Sequence, residues 1–239
     1  MIEKFLSMIS IIIPTLNEEK CIELTLKAFK NQDYKGKYEI IVADGMSKDN
    51  TVKIARKHAN KVVLVRKKGI GVGRNEGAKV ARGEILIFVD ADTILQSNGL
   101  SELSKPFQNK KVVGVACPIV PISSKPRDLM LYRTFNQFMI MSIKSKKAQI
   151  PGICCAYRKN AFEKVGGFDE RLDTLEDYEL SRKIAKIGKI VFVKDTFALT
   201  SMRRVESWGR MKSVRKYIRL YLKYVLGKGF DRDQYGPIR

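Results

Sequence analysis

The stretch ILIFVDAD, Ile85–Asp92, decides the fold class of this chain. Its first five residues are continuously apolar, which predicts a strand over Glu84–Val89 that is buried on both faces of a sheet. Two aspartates follow at once, separated by a single alanine, so the strand ends in a pair of carboxylates. Buried parallel strands of this kind are typical of α/β proteins, whose helices cover both faces of the sheet.

Working outward, short apolar segments alternate with helical patterns through the first half of the chain. The further predicted strands are Ser10–Ile13, Tyr38–Val42, Val62–Val65 and Val112–Ala116. The predicted helices are Glu18–Lys30 with Asn17 as its N-cap, Thr51–Ala59, Gly73–Ala81 and Ser101–Phe107. This alternation predicts an α/β fold with a mostly parallel central sheet flanked by helices.

The second half of the chain is less regular. Its predicted helices are Asp128–Ile143, Lys159–Val165 and Asp177–Ile187, and Ile190–Val193 is a late strand. From Arg203 onward the sequence becomes a basic, tyrosine-rich helical tail.

Composition and charge exclude several classes of protein. The 239 residues are 44% hydrophobic and 30% charged, which is typical of a chain that buries a core and excludes a disordered, collagen-like or coiled-coil protein. The net charge of +21 points to a polyanionic partner: nucleic acid, anionic lipid headgroups or phosphorylated substrates. No apolar run reaches about 18 residues, so we expect no membrane-spanning helix. The run Met1–Pro14 has no cleavage-site pattern, so we expect no signal peptide.

Cysteine and histidine usage restricts the metal chemistry. The four cysteines form no CxxC pair, which excludes a disulfide framework and a cysteine zinc site. His58 is the only histidine, so a His-rich zinc site and a Ser–His–Asp triad are also excluded. A bound metal would need oxygen ligands, which favours Mg²⁺ or Mn²⁺. The sequence predicts a reduced, cytoplasmic setting.

Polar residues follow several predicted strands at the point where each strand ends. The first strand runs into Pro14–Glu19, the second ends at Asp44, and Asp90 and Asp92 follow the fourth. Ligands of open α/β sheets bind outside the carboxyl ends of the strands, so we expect these residues to meet in one crevice. Asp44 alone also fits a strand-end or capping residue. The closely spaced pair Asp90 and Asp92 would repel each other unless a cation or a hydrogen-bond donor lay between them. This favours a divalent metal bound with a diphosphate, with a purely structural role as the alternative.

The glycine-rich stretch Gly69–Arg74 does not fit a dinucleotide-binding loop. It contains no complete GxGxxG and follows the third strand rather than the first. We interpret it as a loop that enters a helix closely, with Arg74 available to pair with a donor phosphate or with an acidic residue of the site. The alternative is a solvated arginine on a helix face.

Glu176 and Asp177 begin a predicted helix, and two explanations fit them. Acids at this position suit the positive end of the helix dipole, which requires no function. A carboxylate facing the crevice could instead accept the proton of an attacking hydroxyl.

Together these segments resemble a known family. They are PTLNEE (14–19), VADGMSKDNT (42–51), GVGRNEGA (71–78), VDAD (89–92), GGFDE (166–170) and LEDYEL (175–180). In this order and spacing they resemble the inverting family 2 glycosyltransferases with the GT-A fold, in particular non-processive members such as dolichol-phosphate-sugar synthases. The resemblance covers about residues 9–204. It implies transfer of a hexose from a UDP- or GDP-sugar, with Mn²⁺ or Mg²⁺, to a hydroxyl or lipid-phosphate acceptor.

The resemblance also implies roles for individual residues. The nucleoside would contact Pro14, Thr15 and Glu18, and Asp44 would hydrogen-bond the base. Asp90 and Asp92 would form the DxD pair that contacts the ribose or sugar and binds the metal. The diphosphate would meet Arg203 or Arg204, and Asp177 would be the general base.

Two departures from the family pattern bear on the function. Leu16 stands where the family often has an aromatic residue, which weakens the expectation of base stacking there. The QxxRW motif of processive synthases is absent, and Ser201–Arg204 reads SMRR instead. We therefore do not expect a processive polymer synthase.

The predicted organisation is one catalytic domain and a tail. Residues 1–118 would form the nucleotide-sugar-binding half, 119–202 the acceptor-side half, and 203–239 a basic amphipathic helical tail. Apolar residues recur in the tail every three or four positions: Val205, Trp208, Met211, Val214, Ile218, Leu222 and Val225. With its basic neighbours this stripe predicts peripheral binding to an anionic membrane on the cytoplasmic face, which also fits a polyprenyl-phosphate acceptor, while a glycan acceptor stays open. The alternative is a stripe that packs on the catalytic domain.

Two other classes of protein compete with this hypothesis. A sugar-nucleotide nucleotidyltransferase would carry a glycine-rich basic loop after the first strand, where this chain has PTLNEE. A basic nucleic-acid-binding protein is suggested only by the charge, and the sequence has no RRM, KH or zinc-finger signature. We therefore expect no nucleic-acid partner.

Overall fold

Strands and helices alternate along the chain in the computed structural model, which describes residues 6–172 and 174–225. The strands are β1 (Ile9–Thr15), β2 (Tyr38–Asp44), β3 (Lys61–Leu64), β4 (Ile85–Val89), β5 (Thr93–Leu95), β6 (Val112–Ala116), β7 (Ile119–Pro121), β8 (Cys154–Arg158), β9 (Lys189–Phe192) and β10 (Ala198–Thr200). The helices are α1 (Ile22–Lys30), α2 (Thr51–His58), α3 (Ile70–Lys79), α4 (Gly99–Ser104), α5 (Pro126–Lys144), α6 (Lys159–Lys164), α7 (Glu176–Ile187), α8 (Arg203–Trp208) and α9 (Arg210–Val225). A 3-10 turn, Lys105–Gln108, follows α4.

A seven-stranded sheet in the order β3-β2-β1-β4-β8-β6-β9 forms the centre of the molecule. Every neighbouring pair is parallel except those made by β8, which runs antiparallel to β4 and β6. The continuous apolar runs of β1, β4 and β6 are buried throughout, as strands covered on both faces must be. The predicted α/β fold with a mostly parallel sheet is confirmed. The proposed boundary at residue 118 stays a prediction, since β8 and β9 complete the same sheet.

A small second sheet, in the order β5-β10-β7, brings the end of the chain to the aspartate pair. In this sheet Thr200 of β10 pairs with Thr93 of β5, directly after Asp92. The backbone N–H of Ser201 donates to the carbonyl of Asp92 at 3.2 Å. Arg203, three residues beyond Thr200, is therefore held beside Asp92.

The glycines of α3 allow this helix to lie close against the sheet. A Cβ at Gly77 would lie 2.5 Å from Cγ2 of Ile12, and one at Gly73 would lie 3.5 Å from Cβ of Pro14. Glycine at position 77 therefore allows the approach of α3 to β1, whereas a Cβ at Gly73 would make only an ordinary contact. The interpretation of a loop that enters a helix closely is confirmed, although α3 begins at Ile70, three residues before the predicted start.

The predicted start of the first helix is wrong. The helix α1 begins at Ile22, and Asn17 is not its N-cap but has a left-handed backbone with φ of 54°. Its side-chain Oδ1 accepts a hydrogen bond from the N–H of Lys48 at 2.8 Å. The segment between β1 and α1 is therefore a loop joined to the loop after β2.

The tail is two helices rather than one. Gly209, with φ of 79°, separates α8 from α9. The rest of the predicted tail, residues 226–239, lies outside the described residues. Within residues 6–172 and 174–225, no helix has the length and apolar character needed to cross a membrane.

Candidate active site

Three loops with unusual backbone conformations surround the carboxyl edge of the sheet. Asn17, Met46 and Leu175 all have positive φ, at 54°, 65° and 61°, although none of them is glycine. Such conformations cost of order 1–3 kcal/mol each and cluster at functional sites. The first two loops are joined by a hydrogen bond from the N–H of Asn17 to Oγ of Ser47 at 2.7 Å.

Asp44 fixes the inner part of the crevice. Its carboxylate accepts hydrogen bonds from Oγ1 of Thr15 at 2.9 Å and from the N–H and Oγ of Ser47 at 2.8 and 2.6 Å. Asp44 is fully buried, and Pro14 and Thr15 are buried beside it. These three predicted donor-binding residues therefore lie together, with their side chains packed into the protein.

Arg203 joins the first loop to the aspartate pair. Its guanidinium binds both carboxylate oxygens of Glu18, at 2.9 and 3.0 Å, and Oδ2 of Asp92 at 3.1 Å. All three side chains are partly exposed. Burial, with a further contribution from Asp90, raises the pKa of Asp92 to about 6 even though Arg203 acts in the opposite direction. Arg203 therefore only partly offsets the cost of burying this carboxylate.

Arg74 lies at the centre of a second ion network. Nη2 is 2.9 Å from Oδ1 of Asp90 and Nη1 is 2.7 Å from Oε1 of Glu176, while the guanidinium lies 5.2 Å from the ring centroid of Phe168. Burial disfavours the charge of Arg74, yet Asp90 and Glu176 hold its pKa above the usual arginine value. A Cβ at Gly152 would collide with this guanidinium, so glycine is required there.

The structure corrects the prediction that Arg74 binds the donor. Its side chain is only 2% exposed, and both terminal nitrogens already bind carboxylates. Its remaining guanidinium nitrogen, Nε, is buried and has no hydrogen-bond partner among the described residues. The sequence allowed Arg74 to pair with a donor phosphate or with an acidic residue of the site, and in the structure it pairs with the acidic residues Asp90 and Glu176.

Asp177 and Glu176 are adjacent but have different surroundings. Glu176 turns inward to Arg74, and burial together with the charge of Asp177 raises the pKa of Glu176 to about 7. Asp177 is partly exposed, and its carboxylate accepts the N–H groups of Gly152 at 2.6 Å and Tyr178 at 2.8 Å. Burial raises the pKa of Asp177, while Arg74 and the two backbone donors oppose that rise.

Arg204 lies apart from its neighbour Arg203. Its guanidinium is 5.8 Å from the ring centroid of Trp208, and Nζ of Lys216 is 3.7 Å from the same centroid. The remaining predicted residues form the two ion networks or stand beside them: Glu18, Asp90, Asp92, Asp177 and Arg203. Sequence reasoning missed Gly152, whose only local signal is the Pro-Gly pair at 151–152 before β8.

Replacing Arg74 by methionine is expected to lower the free energy of unfolding by about 3–5 kcal/mol, because two buried carboxylates would lose their counter-ion. Urea unfolding followed by circular dichroism measures the change. Lys79→Met is the matched control, since Lys79 is on the same helix and pairs with Glu76 at the surface. The control should change the free energy by less than about 0.5 kcal/mol. An equally small effect at Arg74 would show that the buried network does not stabilise the fold.

Comparison with known proteins identifies the class to which this fold and crevice belong. The family model described as glycosyl transferase family 2 matches residues 10–166. The chain therefore belongs to glycosyltransferase family 2. This result confirms the predicted family and favours a glycosyltransferase over both competing classes.

Named relatives support this assignment. A probable glycosyltransferase of Bacillus subtilis, YdaM, is 29% identical over 204 residues, which are 77% of this chain and 48% of that protein. The poly(ribitol-phosphate) beta-N-acetylglucosaminyltransferase TarS of Staphylococcus aureus is 36% identical over 100 residues, 39% of this chain and 18% of that protein. This chain thus spans about half or less of the length of these relatives.

Solved structures of glycosyltransferases share the fold. A mannosyltransferase of Pyrobaculum calidifontis, in complex with GDP-Man and Mn²⁺, has a TM-score of 0.75 and 23% identity and covers 98% of this chain and 68% of its own. A fragment of S. aureus TarS in complex with UDP-GlcNAc has a TM-score of 0.66 and 23% identity, over 80% of this chain and 58% of its own. At these identities the likeness shows the fold, which is the predicted GT-A fold.

Proposed function

We propose that this protein transfers a hexose from a UDP- or GDP-sugar to an acceptor hydroxyl or lipid phosphate, with inversion and with the help of a divalent cation. The observation that carries the proposal is the pair of ion networks at the carboxyl edge of the sheet, in which Arg203 joins Glu18 to Asp92 and Arg74 joins Asp90 to Glu176. Solved relatives that hold GDP-Man or UDP-GlcNAc support the choice of donor class.

The nucleoside would lie against the loop after β1. Pro14 and Thr15 have buried side chains, so we assign their contribution to the backbone that lines the crevice. Asp44 is fully buried and uses three of the roughly four acceptor positions of a carboxylate, so a base N–H would reach the fourth, on Oδ2, only if the surrounding loops opened. Asp44 also holds the loop in place through Thr15 and Ser47.

The residues present fit a divalent cation that is completed by the donor. No group of three acidic, histidine or cysteine ligands occurs within the described residues, so the protein would supply Asp92 and Asp90 and the diphosphate would supply further oxygens. Burial is the main cause of the raised pKa of Asp92, with Asp90 and Glu18 adding to it, and a cation bound here would oppose all of these effects. Mn²⁺ or Mg²⁺ bound here would neutralise charge on the departing nucleoside diphosphate.

Arg203 would hold the diphosphate. With no donor present it is paired with Glu18 and Asp92, and its partial exposure leaves it accessible to a phosphate that competes for the same guanidinium. A planar guanidinium binds phosphate through two parallel hydrogen bonds. Closure of Arg203 over the diphosphate would also exclude water and so limit hydrolysis of the donor.

Arg203→Ala is expected to weaken binding of the nucleoside diphosphate by about 10- to 100-fold, the effect of losing hydrogen bonds to a charged group. Isothermal titration with UDP and GDP measures the affinity. Arg204→Ala is the matched variant, and its smaller effect would follow from the position of Arg204 beside Trp208. Unchanged or tighter binding by Arg203→Ala would exclude Arg203 from the diphosphate site.

Asp177 would accept the proton of an acceptor hydroxyl. The N–H groups of Gly152 and Tyr178 orient its carboxylate, and its raised pKa suits a general base. The activated hydroxyl would attack the anomeric carbon opposite the leaving diphosphate, which inverts the configuration. A lipid-phosphate acceptor is already ionised and needs no base, so the contribution of Asp177 distinguishes the two acceptor classes.

A groove next to the crevice is our candidate for the acceptor site. It has a volume of about 600 Å³ and lies between α5, β7 and β9, with an apolar lining that includes Ile119, Leu129 and Phe192. Its basic lining residues are Arg133, Lys144 and Lys194. Tyr132 also lines it, and burial raises the pKa of Tyr132 to about 12. The groove is linked to the aspartate pair through β7, which pairs with β10, the strand that leads to Arg203 beside Asp92. This chemistry favours polyprenyl phosphate over a purely polar glycan.

Release of UDP or GDP from a panel of donors tests the function. In the presence of Mn²⁺ we expect acceptor-stimulated release from sugars of one nucleotide, with polyprenyl phosphate and simple glycans as the acceptors compared. Absence of release from every donor and acceptor would contradict the proposal. Formation of pyrophosphate from a nucleoside triphosphate and a sugar phosphate would support a nucleotidyltransferase instead.

A further inference from the structure

The outward face of α9 is apolar. Met211, Ile218 and Leu222 are 66%, 55% and 52% exposed and lie seven and eleven positions apart, so they share one side of the helix. The inward side is formed by Ser213 and Leu220, which are buried. At these three positions the apolar stripe predicted from the sequence therefore faces solvent rather than the catalytic domain.

Basic residues lie within and beside this stripe. Arg215 lies between Met211 and Ile218 on the helix surface, and the exposed Lys212 and Arg219 flank it. Helix α9 contains no aspartate or glutamate. An apolar stripe with interleaved arginine and lysine is typical of helices that lie in a membrane interface.

Helix α5 also carries exposed apolar side chains. The two helices are joined where Nη2 of Arg210 binds Oδ2 of the buried Asp128 at 2.9 Å. On α5 Met130, Phe138 and Met141 are exposed at positions eight and eleven residues apart. Asp128 is the only acid of α5 and is buried, so the exposed charged residues of this helix are all basic.

These observations select the partner. We propose that the outward face of α9, with the exposed apolar side chains of α5, docks this protein on an anionic lipid surface. Protein interfaces are depleted of lysine, whereas the exposed Lys212 flanks this stripe and α9 has no acid to pair with it. The long stem of an arginine can lie along acyl chains while its guanidinium reaches lipid phosphates. The basic character of both helices matches the negative charge of anionic headgroups.

This inference goes beyond the proposed function and does not depend on it. Docking is measured as lipid binding without donor or acceptor, so its failure and the failure of sugar transfer are separate results. If both hold, α8, which begins at Arg203, would connect the donor site directly to the membrane-bound helix.

Co-sedimentation of the full chain with vesicles tests the docking surface. The vesicles are phosphatidylcholine alone or phosphatidylcholine with phosphatidylglycerol. We expect binding to the anionic vesicles at about 0.1 M salt and much weaker binding at about 1 M, where the screening length falls to about 3 Å. The double variant Arg215→Gln, Arg219→Gln should bind about 30-fold more weakly, since each basic residue near an anionic leaflet contributes about fivefold.

The apolar part of the surface is tested by Ile218→Asn with Leu222→Asn, which should weaken binding at least about tenfold. The matched controls are Leu24→Asn, an exposed leucine on α1, and Lys110→Gln with Lys111→Gln, an exposed basic pair before β6. Both controls should bind like the unaltered protein. Because all these side chains are exposed, unfolding temperatures should be unchanged.

Two results would overturn the inference. One is a failure of vesicle binding to depend on this face: the full chain does not bind anionic vesicles, or the α9 variants bind as well as the controls. The other is that the protein does not bind vesicles but forms a dimer in sedimentation velocity, and that Ile218→Asn with Leu222→Asn converts this dimer to a monomer. The face would then join two copies of this chain.

Discussion

Asp177→Asn is expected to lower the turnover number by about 10²–10⁴ when the acceptor is a hydroxyl, while donor affinity stays within about twofold. The amide keeps the shape of the carboxylate but cannot accept a proton. Donor affinity should survive, since the groups proposed to hold the donor lie on the loop after β1, at Asp90 and Asp92, and at Arg203. Steady-state kinetics and titration with the nucleoside diphosphate measure the two quantities separately.

The pH profile distinguishes a general base from a structural residue. Burial raises the pKa of Asp177 above the usual aspartate value of about 4. A general base works only when it is deprotonated, so turnover of the unaltered protein should fall as the pH decreases through this raised pKa. The variant should lose the part of this acid limb that Asp177 causes, while any part caused by Asp92, whose pKa is raised to about 6, should remain. Glu179→Gln on the same helix is the matched control and should keep both the rate and the profile. Equal loss of donor affinity and turnover in Asp177→Asn would indicate a structural or binding role instead.

Asp92→Asn is expected to weaken metal-dependent donor binding by at least about 100-fold, since loss even of an outer partner of a metal ligand costs 10- to 100-fold. The substitution puts a neutral amide of the same shape at a position where burial already disfavours the charge, so the fold itself should tolerate it. Titration of the donor with and without Mn²⁺ measures the effect.

The control for this variant is Asp195→Asn, which removes an exposed carboxylate outside the crevice. It should leave the metal dependence unchanged. Full turnover by Asp92→Asn, or activity of the unaltered protein that persists in EDTA, would remove the metal from the mechanism.

The sheet could be predicted from sequence where burial leaves a pattern. The strands β1, β4 and β6 are covered on both faces and therefore appear as uninterrupted apolar runs. The short strands β5, β7 and β10 have three residues each, too few for any periodicity to show. Yet β5 and β10 are the strands that bring Arg203 to Asp92. The hydrophobic pattern of the sequence therefore did not predict the strands that assemble this part of the site.

The candidate site divides in the same way. Asp44, Asp90 and Asp92 could be placed in one crevice because parallel strands of a sheet end at the same edge. Their partners could not, since Arg74 binds Glu176 across 102 positions of sequence and Arg203 binds Glu18 across 185. The periodicity of α9 likewise indicated an apolar stripe but not which way it faces, because orientation depends on contacts such as Arg210 with Asp128.

The central claim is that this crevice binds a nucleotide-sugar together with a divalent cation. Thermal unfolding of the unaltered protein with UDP- and GDP-sugars, each with and without Mn²⁺, tests it most directly, since only a ligand of the folded state raises the midpoint. At about 100 times its Kd a ligand stabilises by about 2.7 kcal/mol, which for a chain of this size raises the midpoint by roughly 5–10 °C. We expect such a rise with sugars of one nucleotide, and a clearly smaller rise without Mn²⁺. No rise with any UDP- or GDP-sugar in the presence of Mn²⁺ would contradict the account.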